Sequence, residues 1–326
     1  MNIRPFGFRD LPLLSRYRNR GLFLDCARVL IHGPSMIPFG ALVSFIGPTL
    51  RIFTYYCENS SDPGKPIIGQ VTYTSGASYA RYSFLAPEEG LEQNELTALT
   101  EYIVSQVGML GVYHILADVD ESNQVFQILH RAGFAIYARQ RVWCLDGELV
   151  GDGNPSAWRA SQSRDALGVH SLYANVVPGL VQQVEPLPKK GFKGVVYYQN
   201  GELFAFVELK YGRKGIWVQP FVHPDAQGFD RQLTQLLYEL PGRRDRPLYI
   251  CVRSYQSWLE SAVEAMGAQP GPQQAVMVRH LAIARRVNQT LPIRAINGKR
   301  IEPTAPAVHV ENVHNLEFTE VDKQVR

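Results

Sequence analysis

The sequence predicts an α/β fold, a mixed α+β sheet with flanking helices, present twice in tandem. Three observations carry this expectation. Apolar residues switch repeatedly between the two-residue period of strands and the 3.6-residue period of helices. The order hairpin, helix, strand, helix, strand occurs in the first half and again in the second. Equivalent residues keep a nearly constant offset. Gly69 and Ala205, Pro87 and Pro224, and Gly133 and Gly267 each stand roughly 135 residues apart, far beyond a solenoid period.

In the first half, Ile67 to Tyr73 is β-rich and ends in the turn Ser75-Gly76. Tyr79 to Leu85 follows and stops before Pro87, so the pair predicts a hairpin. Leu96, Leu99, Ile103, Val107 and Leu110 recur in steps of three and four, the stripe of a helix. His114 to Val119 is a short apolar strand. Val125, Ile128, Leu129 and Ala132 form a second helical stripe, which Gly133 ends as a C-terminal cap. Phe134 to Leu145 returns as a strand.

The second half gives the same series. Leu203 to Leu209 and Gly215 to Val222 form a hairpin that stops before Pro224. Leu233, Leu236, Leu237 and Leu240 mark a helix, and Leu248 to Val252 a strand. Trp258, Leu259, Ala262, Val263 and Met266 mark a helix stopped by Gly267. Gln274 to Leu281 is the last strand. Glycines and Pro155 between Asp146 and Ser156 mark a seam. The expected division is 1–146, 157–283 and an extension over 284–326, where periodicity fades.

Composition limits the function classes. The 326 residues are 45% hydrophobic and 19% charged, an ordinary globular balance for two domains. The net charge of +3 is too even for a dedicated nucleic-acid or membrane-surface binder. The apolar stretch Val29 to Leu50 contains Pro34, Pro38 and Pro48, which oppose a membrane-spanning helix and suggest a buried irregular loop or short helices. MNIRPFGFRD has no apolar signal-peptide core, so a cytoplasmic protein is expected. Cys26, Cys57, Cys144 and Cys251 form no C-x-x-C pair and are expected as reduced thiols, Cys144 and Cys251 buried in strands. No metal site is expected: His309, Glu311 and His314 lack a recognised ligand spacing. The strand aromatics read as core, with Arg81, Arg139 and Arg141 interleaved among some of them.

Several segments resemble the GNAT acyltransferase superfamily. His114 to Phe134 looks like the family's fifth strand, the helix after it, and the Gly-Phe opening the next strand. Leu248 to Gly267 looks like a weaker copy. Val222-His-Pro-Asp-Ala-Gln-Gly228 resembles the end of the fourth strand and the start of the cofactor loop. Ile3-Arg4-Pro5, then Asp10 and the stripe Leu11, Leu14, Tyr17, fits the first strand and helix. The likeness covers most of residues 1–283.

The resemblance implies acetyl-CoA, or another acyl-CoA, as co-substrate between the splayed fourth and fifth strands. In the second half Phe221 and Val222 would line its pantetheine arm, and Gln227 and Gly228 its pyrophosphate. Helix-start N–H groups and glycine suit an anion. The family loop, Gln/Arg-x-x-Gly-x-Gly/Ala, is degenerate here. Asp230 and Gln232 hold the small positions of the second half, and Gln93 and Glu95 those of the first, with Gly90 at the leading position. Carboxylates near the phosphates would repel them, unless they point outward as acidic residues near a helix start often do. Leu129 and Val263 replace the tyrosine that often protonates the departing thiolate.

Glu208 and His223 are the candidates for the base that takes the amine proton. Asp118 and Asp120 read as turn or capping residues. The expected function is transfer of an acyl group, in the first place acetyl, to a small-molecule or peptide amine, with the second half holding the cofactor. The alternative is a non-catalytic binding or scaffolding protein on the same fold. A homo-oligomer stays open.

Overall fold

The computed structural model describes residues 2–17, 20–34, 50–58, 66–88, 93–147, 149, 157–188 and 191–281. Most of the apolar stretch after Pro34, the loop around Gly90, most of the glycine-rich seam, and the tail with its two histidines lie outside them.

The strands are β1 (Ile3–Pro5), β2 (Leu22–Phe23), β3 (Leu50–Cys57), β4 (Ile67–Thr74), β5 (Tyr79–Ala86), β6 (His114–Asp120) and β7 (Ala135–Leu145). The second half adds β8 (Trp158–Ala160), β9 (Gly194–Gln199), β10 (Glu202–Tyr211), β11 (Ile216–Val222), β12 (Leu248–Arg253) and β13 (Gln269–His280). The helices are α1 (Leu11–Tyr17), α2 (Cys26–His32), α3 (Gln93–Gly108), α4 (Gln124–Arg131), α5 (Ala166–Val176), α6 (Gly179–Val184), α7 (Phe229–Tyr238) and α8 (Leu259–Ala265). The expected hairpins are β4–β5 and β10–β11. The expected helices are α3, α4, α7 and α8, and α4 and α8 stop just before Gly133 and Gly267.

Local chemistry explains these boundaries. Asn123 caps α4 by accepting the Val125 N–H at 2.9 Å. Gly133 adopts φ +84, which glycine takes without strain, and Phe134 N–H then closes on the Leu129 carbonyl. Val125 and Leu129 on the inner face of α4 are fully buried. Asp120 does not cap the helix; it turns the chain by accepting the Ser122 N–H and hydroxyl.

All these strands join one mixed sheet, in the order β1-β3-β4-β5-β6-β13-β7-β12-β11-β10-β9-β8, with β2 on β5. The order is nearly symmetric about β13-β7. The last strand of each half has crossed over. β13 pairs with β6 of the first half, and β7 pairs with β12 of the second. β13 starts five residues earlier than its apolar pattern suggests. Gln269 and Pro270 pair with β7 through a register shift that absorbs the glycine and proline after them. Residues Met1–Ile283 form one compact unit.

One core packs α3 and α4 on β3–β6. A second packs α7 and α8 on β10–β12. A third joins the halves. Val169, Leu172 and Tyr173 of α5 and Val181 of α6 meet Phe206 and Phe221 of the second half and Leu116, Tyr137 and Val276 near the centre. Helix α2 of the first half lies on the second half, with Cys26 and Ile31 against Trp217, Cys251 and Val142.

Candidate functional site

The two parallel strand pairs place the site. β5 pairs with β6 only over Tyr79–Arg81 and His114–Leu116. β11 pairs with β12 only over Ile216–Val218 and Leu248–Ile250. Beyond these points each pair splays into a fork. The fork arises twice, from equivalent strands.

The forks are filled differently. In the first, β2 pairs with Phe84 and Leu85 of β5. Leu24 N–H then donates to the Ser83 carbonyl at 3.2 Å, and Asp118 N–H donates to the Leu24 carbonyl at 2.8 Å. The carboxylate of Asp118 accepts the Cys26 N–H at 3.1 Å. The chain's own backbone thus spans the first fork, and Leu24 is 0% exposed. Among the described residues no main-chain segment is hydrogen-bonded into the second fork.

Both forks open on one cleft of about 1390 Å³ between the halves. Arg81 and Asp118 come from the first fork, Gln219 and Arg253 from the second, and Gln140 of β7 from between them. Arg81 pairs with Asp118 and with Glu185, the residue ending α6. Arg253 pairs with the other oxygen of Glu185 at 2.8 Å. Burial alone would push the Glu185 carboxyl up, but Arg253 and Arg81 outweigh it and hold the group below the usual range. For Asp118 burial wins over the pull of Arg81, so its carboxyl lies above the usual range.

Glu208 of β10 lines this cleft directly across the ladder from Gln219, on the same face of the sheet. Lys210 Nζ stands 3.0 Å from its carboxylate and fixes its orientation. His223, the other candidate base, is not among the cleft-lining residues. It follows β11, packs on Phe204 and lies 3.7 Å from Asp225.

The candidate cofactor residues follow β11 outward. Phe221 is buried, stacked on Phe206 and edge-on to Tyr173. Val222 is buried in the second-half core. Gln227 and Gly228 are exposed at the start of α7. Gly228 is in the left-handed conformation with open space around it. Asp230 in the first turn is exposed as well. Leu129 and Val263 are both fully buried core residues, so neither helix offers a proton donor there.

Sequence reasoning did not find Glu185, Arg253 or the buried role of Asp118. A signal was present for the start of each half. Arg4 and Asp10 form a two-pronged ion pair, and Arg159 and Asp165 repeat it at the same spacing. The cysteines are unpaired; Cys144 is only half-buried, and burial pushes the Cys251 thiol to about 12. Among the described residues no cluster of three or more ligating side chains could hold a metal. No helix there is long and apolar enough to cross a membrane.

This arrangement of forked strands is the GNAT fold, present twice and sharing one sheet. Solved structures resemble it along most of the chain. A GCN5-related N-acetyltransferase from Sphaerobacter thermophilus superposes with a TM-score of 0.53 at 13% identity, covering 86% of this chain and 95% of that one. A tandem GNAT protein of the clavulanic acid biosynthesis pathway gives 0.51 at 14% identity, covering 86% and 98%. No protein-family model and no curated protein matches the chain.

Proposed function

We propose that the chain is an acyl-CoA-dependent N-acyltransferase, with acetyl-CoA as the donor and an amine as the acceptor. One observation carries the reading: the first fork is spanned by Leu22–Cys26, while among the described residues no backbone is hydrogen-bonded into the second, which leads to an exposed helix start. The halves would be 1–146 and 157–283, with 284–326 as an extension. The second half is the one that fits the cofactor. Pantetheine would run along β11 beyond Val218, past Phe221 and Val222. The pyrophosphate would meet Gln227, Gly228 and the N–H groups at the start of α7. The exposed setting of Asp230 weakens its repulsion of that anion.

The acceptor amine would enter the central cleft and attack the thioester carbonyl at the fork. Glu208 would take the amine proton, directly or through one water. Backbone N–H groups on the splayed edge of β11 would stabilise the oxyanion, and the thiolate would leave as the amide forms. A second reading, a non-catalytic GNAT-fold binding or scaffolding protein, is favoured by Leu129 and Val263, which supply no acid for that thiolate.

Calorimetric titration of the full chain with acetyl-CoA tests the proposal. One site of micromolar affinity, weakened by Gln227→Ala, supports it. Folded protein that shows no binding up to millimolar acetyl-CoA overturns it.

A further inference from the structure

The cleft has an uneven charge balance. Arg28, Arg81, Lys193, Lys210 and Arg253 line it against Asp25, Asp118 and Glu208. Glu185 adds one anion behind the wall through its pairs with Arg81 and Arg253. Five cations thus face four anions, an excess of one positive charge. Among the described residues Arg253 has one ion-pair partner, Glu185, and shares it with Arg81, which also has Asp118.

Arg253 is only 6% exposed, and its Nε and Nη1 hydrogens have no acceptor. Buried guanidinium donors without partners are costly. The residue that carries them ends β12, at the mouth of the second fork. Gln219 stands on the other arm of that fork, with Glu208 across from it. Ile31, Leu187 and Trp217 make the adjoining walls apolar, where a charge-assisted hydrogen bond is strong.

We infer that the acceptor is a zwitterion with a free amine and a carboxylate, the carboxylate held at Arg253 and the amine presented to Glu208. The amine half rests on the acyltransferase reading; the carboxylate half rests on Arg253 alone. A doubly charged phosphate fits less well, because only one positive charge is in excess and Asp118 and Glu185 stand close by. The same chemistry is offered by a free α-amino acid and by a short peptide.

The test uses the full chain with the common L-α-amino acids, a set of dipeptides, and the carboxamide of each. Thiol release from acetyl-CoA reports transfer, and the rise in Tm without acetyl-CoA reports binding. The expected result is an accepted amino acid or dipeptide whose carboxamide is at least ~100-fold poorer in kcat/KM. Which set is accepted identifies the source. Arg253→Gln should shrink that ratio to about the error of the assay while acetyl-CoA still binds. The acid-against-amide comparison on the unaltered chain stands even if this variant does not fold. Carboxamides as good as acids overturn the inference. So does a chain that binds acetyl-CoA but neither acetylates nor is stabilised by any acid in the panel. Stabilisation by acids and not by amides, in a chain that binds no acetyl-CoA, supports the carboxylate site and sinks the transferase reading instead.

Discussion

The main-chain N–H of Asp118 donates to the carbonyl oxygen of Leu24 at 2.8 Å, tying an early segment of the chain into the fork between β5 and β6. The same fork in the second half has no such tie among the described residues. A pantetheine arm would need the strand edges that Leu24 already uses.

Binding should therefore show one acetyl-CoA per chain, not two. Leu24→Ala should cost about 2–5 kcal/mol of stability, as for a fully buried leucine, and leave the affinity of the second half unchanged. Calorimetry and urea unfolding check the two halves of this statement. A stoichiometry of two contradicts it.

Glu208→Gln should lower kcat by about 10²–10⁴-fold with little change in acetyl-CoA affinity, because the amide keeps the shape and loses the base. The measurement is kcat with an accepted amine beside acetyl-CoA affinity by calorimetry. Applied to His223→Ala, the same pair of measurements separates the two candidate bases. The variant that loses kcat while keeping acetyl-CoA affinity identifies the proton acceptor.

Asp165 accepts two N–H groups from Arg159 and the Gln162 N–H, and these bonds, the Arg159 pair foremost, hold its carboxyl below the usual range. A carboxyl depressed by folding stabilises the fold above its unfolded pKa, around pH 4, and loses that contribution as pH falls further. Tm should drop below about pH 4. Asp165→Asn should lower Tm by roughly 3–10 °C at neutral pH and flatten the acid limb. Melting curves from pH 7 to 3 test both. An unchanged acid limb in the variant would show that other carboxyls set it.

A Cβ at Gly194 would lie 2.1 Å from the Val207 carbonyl oxygen, and backbone cannot move aside as a flexible side chain can. Gly194 pairs with Glu208 across the β9–β10 ladder. Gly194→Ala should cost about 1–3 kcal/mol and displace the strand that carries Glu208. Tm and kcat should fall together; a variant with wild-type values of both excludes this coupling.

Local pattern revealed much of the fold. The hairpins β4–β5 and β10–β11, the stripes of α3, α4, α7 and α8, and the stops at Gly133 and Gly267 each depend on neighbours within a few residues. β13 was longer than its pattern because Gly271 and Pro272 normally signal a turn; pairing with β7 overrode that local preference. Asp118 resembled a cap because an aspartate at a strand end usually serves its own turn. Here it is buried and serves Cys26 and Arg81 instead. Arg253 and Glu185 are 68 positions apart in the chain, and no local period links such residues.

From the sequence alone came the element types, the duplicated order, and Glu208 as a candidate on the strand that now lines the cleft. Periodicity fixes which side of a strand or helix is apolar, and that property is local. Only the tertiary structure decided that the last strands change places, that Leu22–Cys26 occupies one fork, and that Arg81, Asp118, Glu185 and Arg253 gather in one cleft. Those outcomes turn on which backbone edges and charges meet after the chain closes on itself, and a residue's own neighbours carry no record of them.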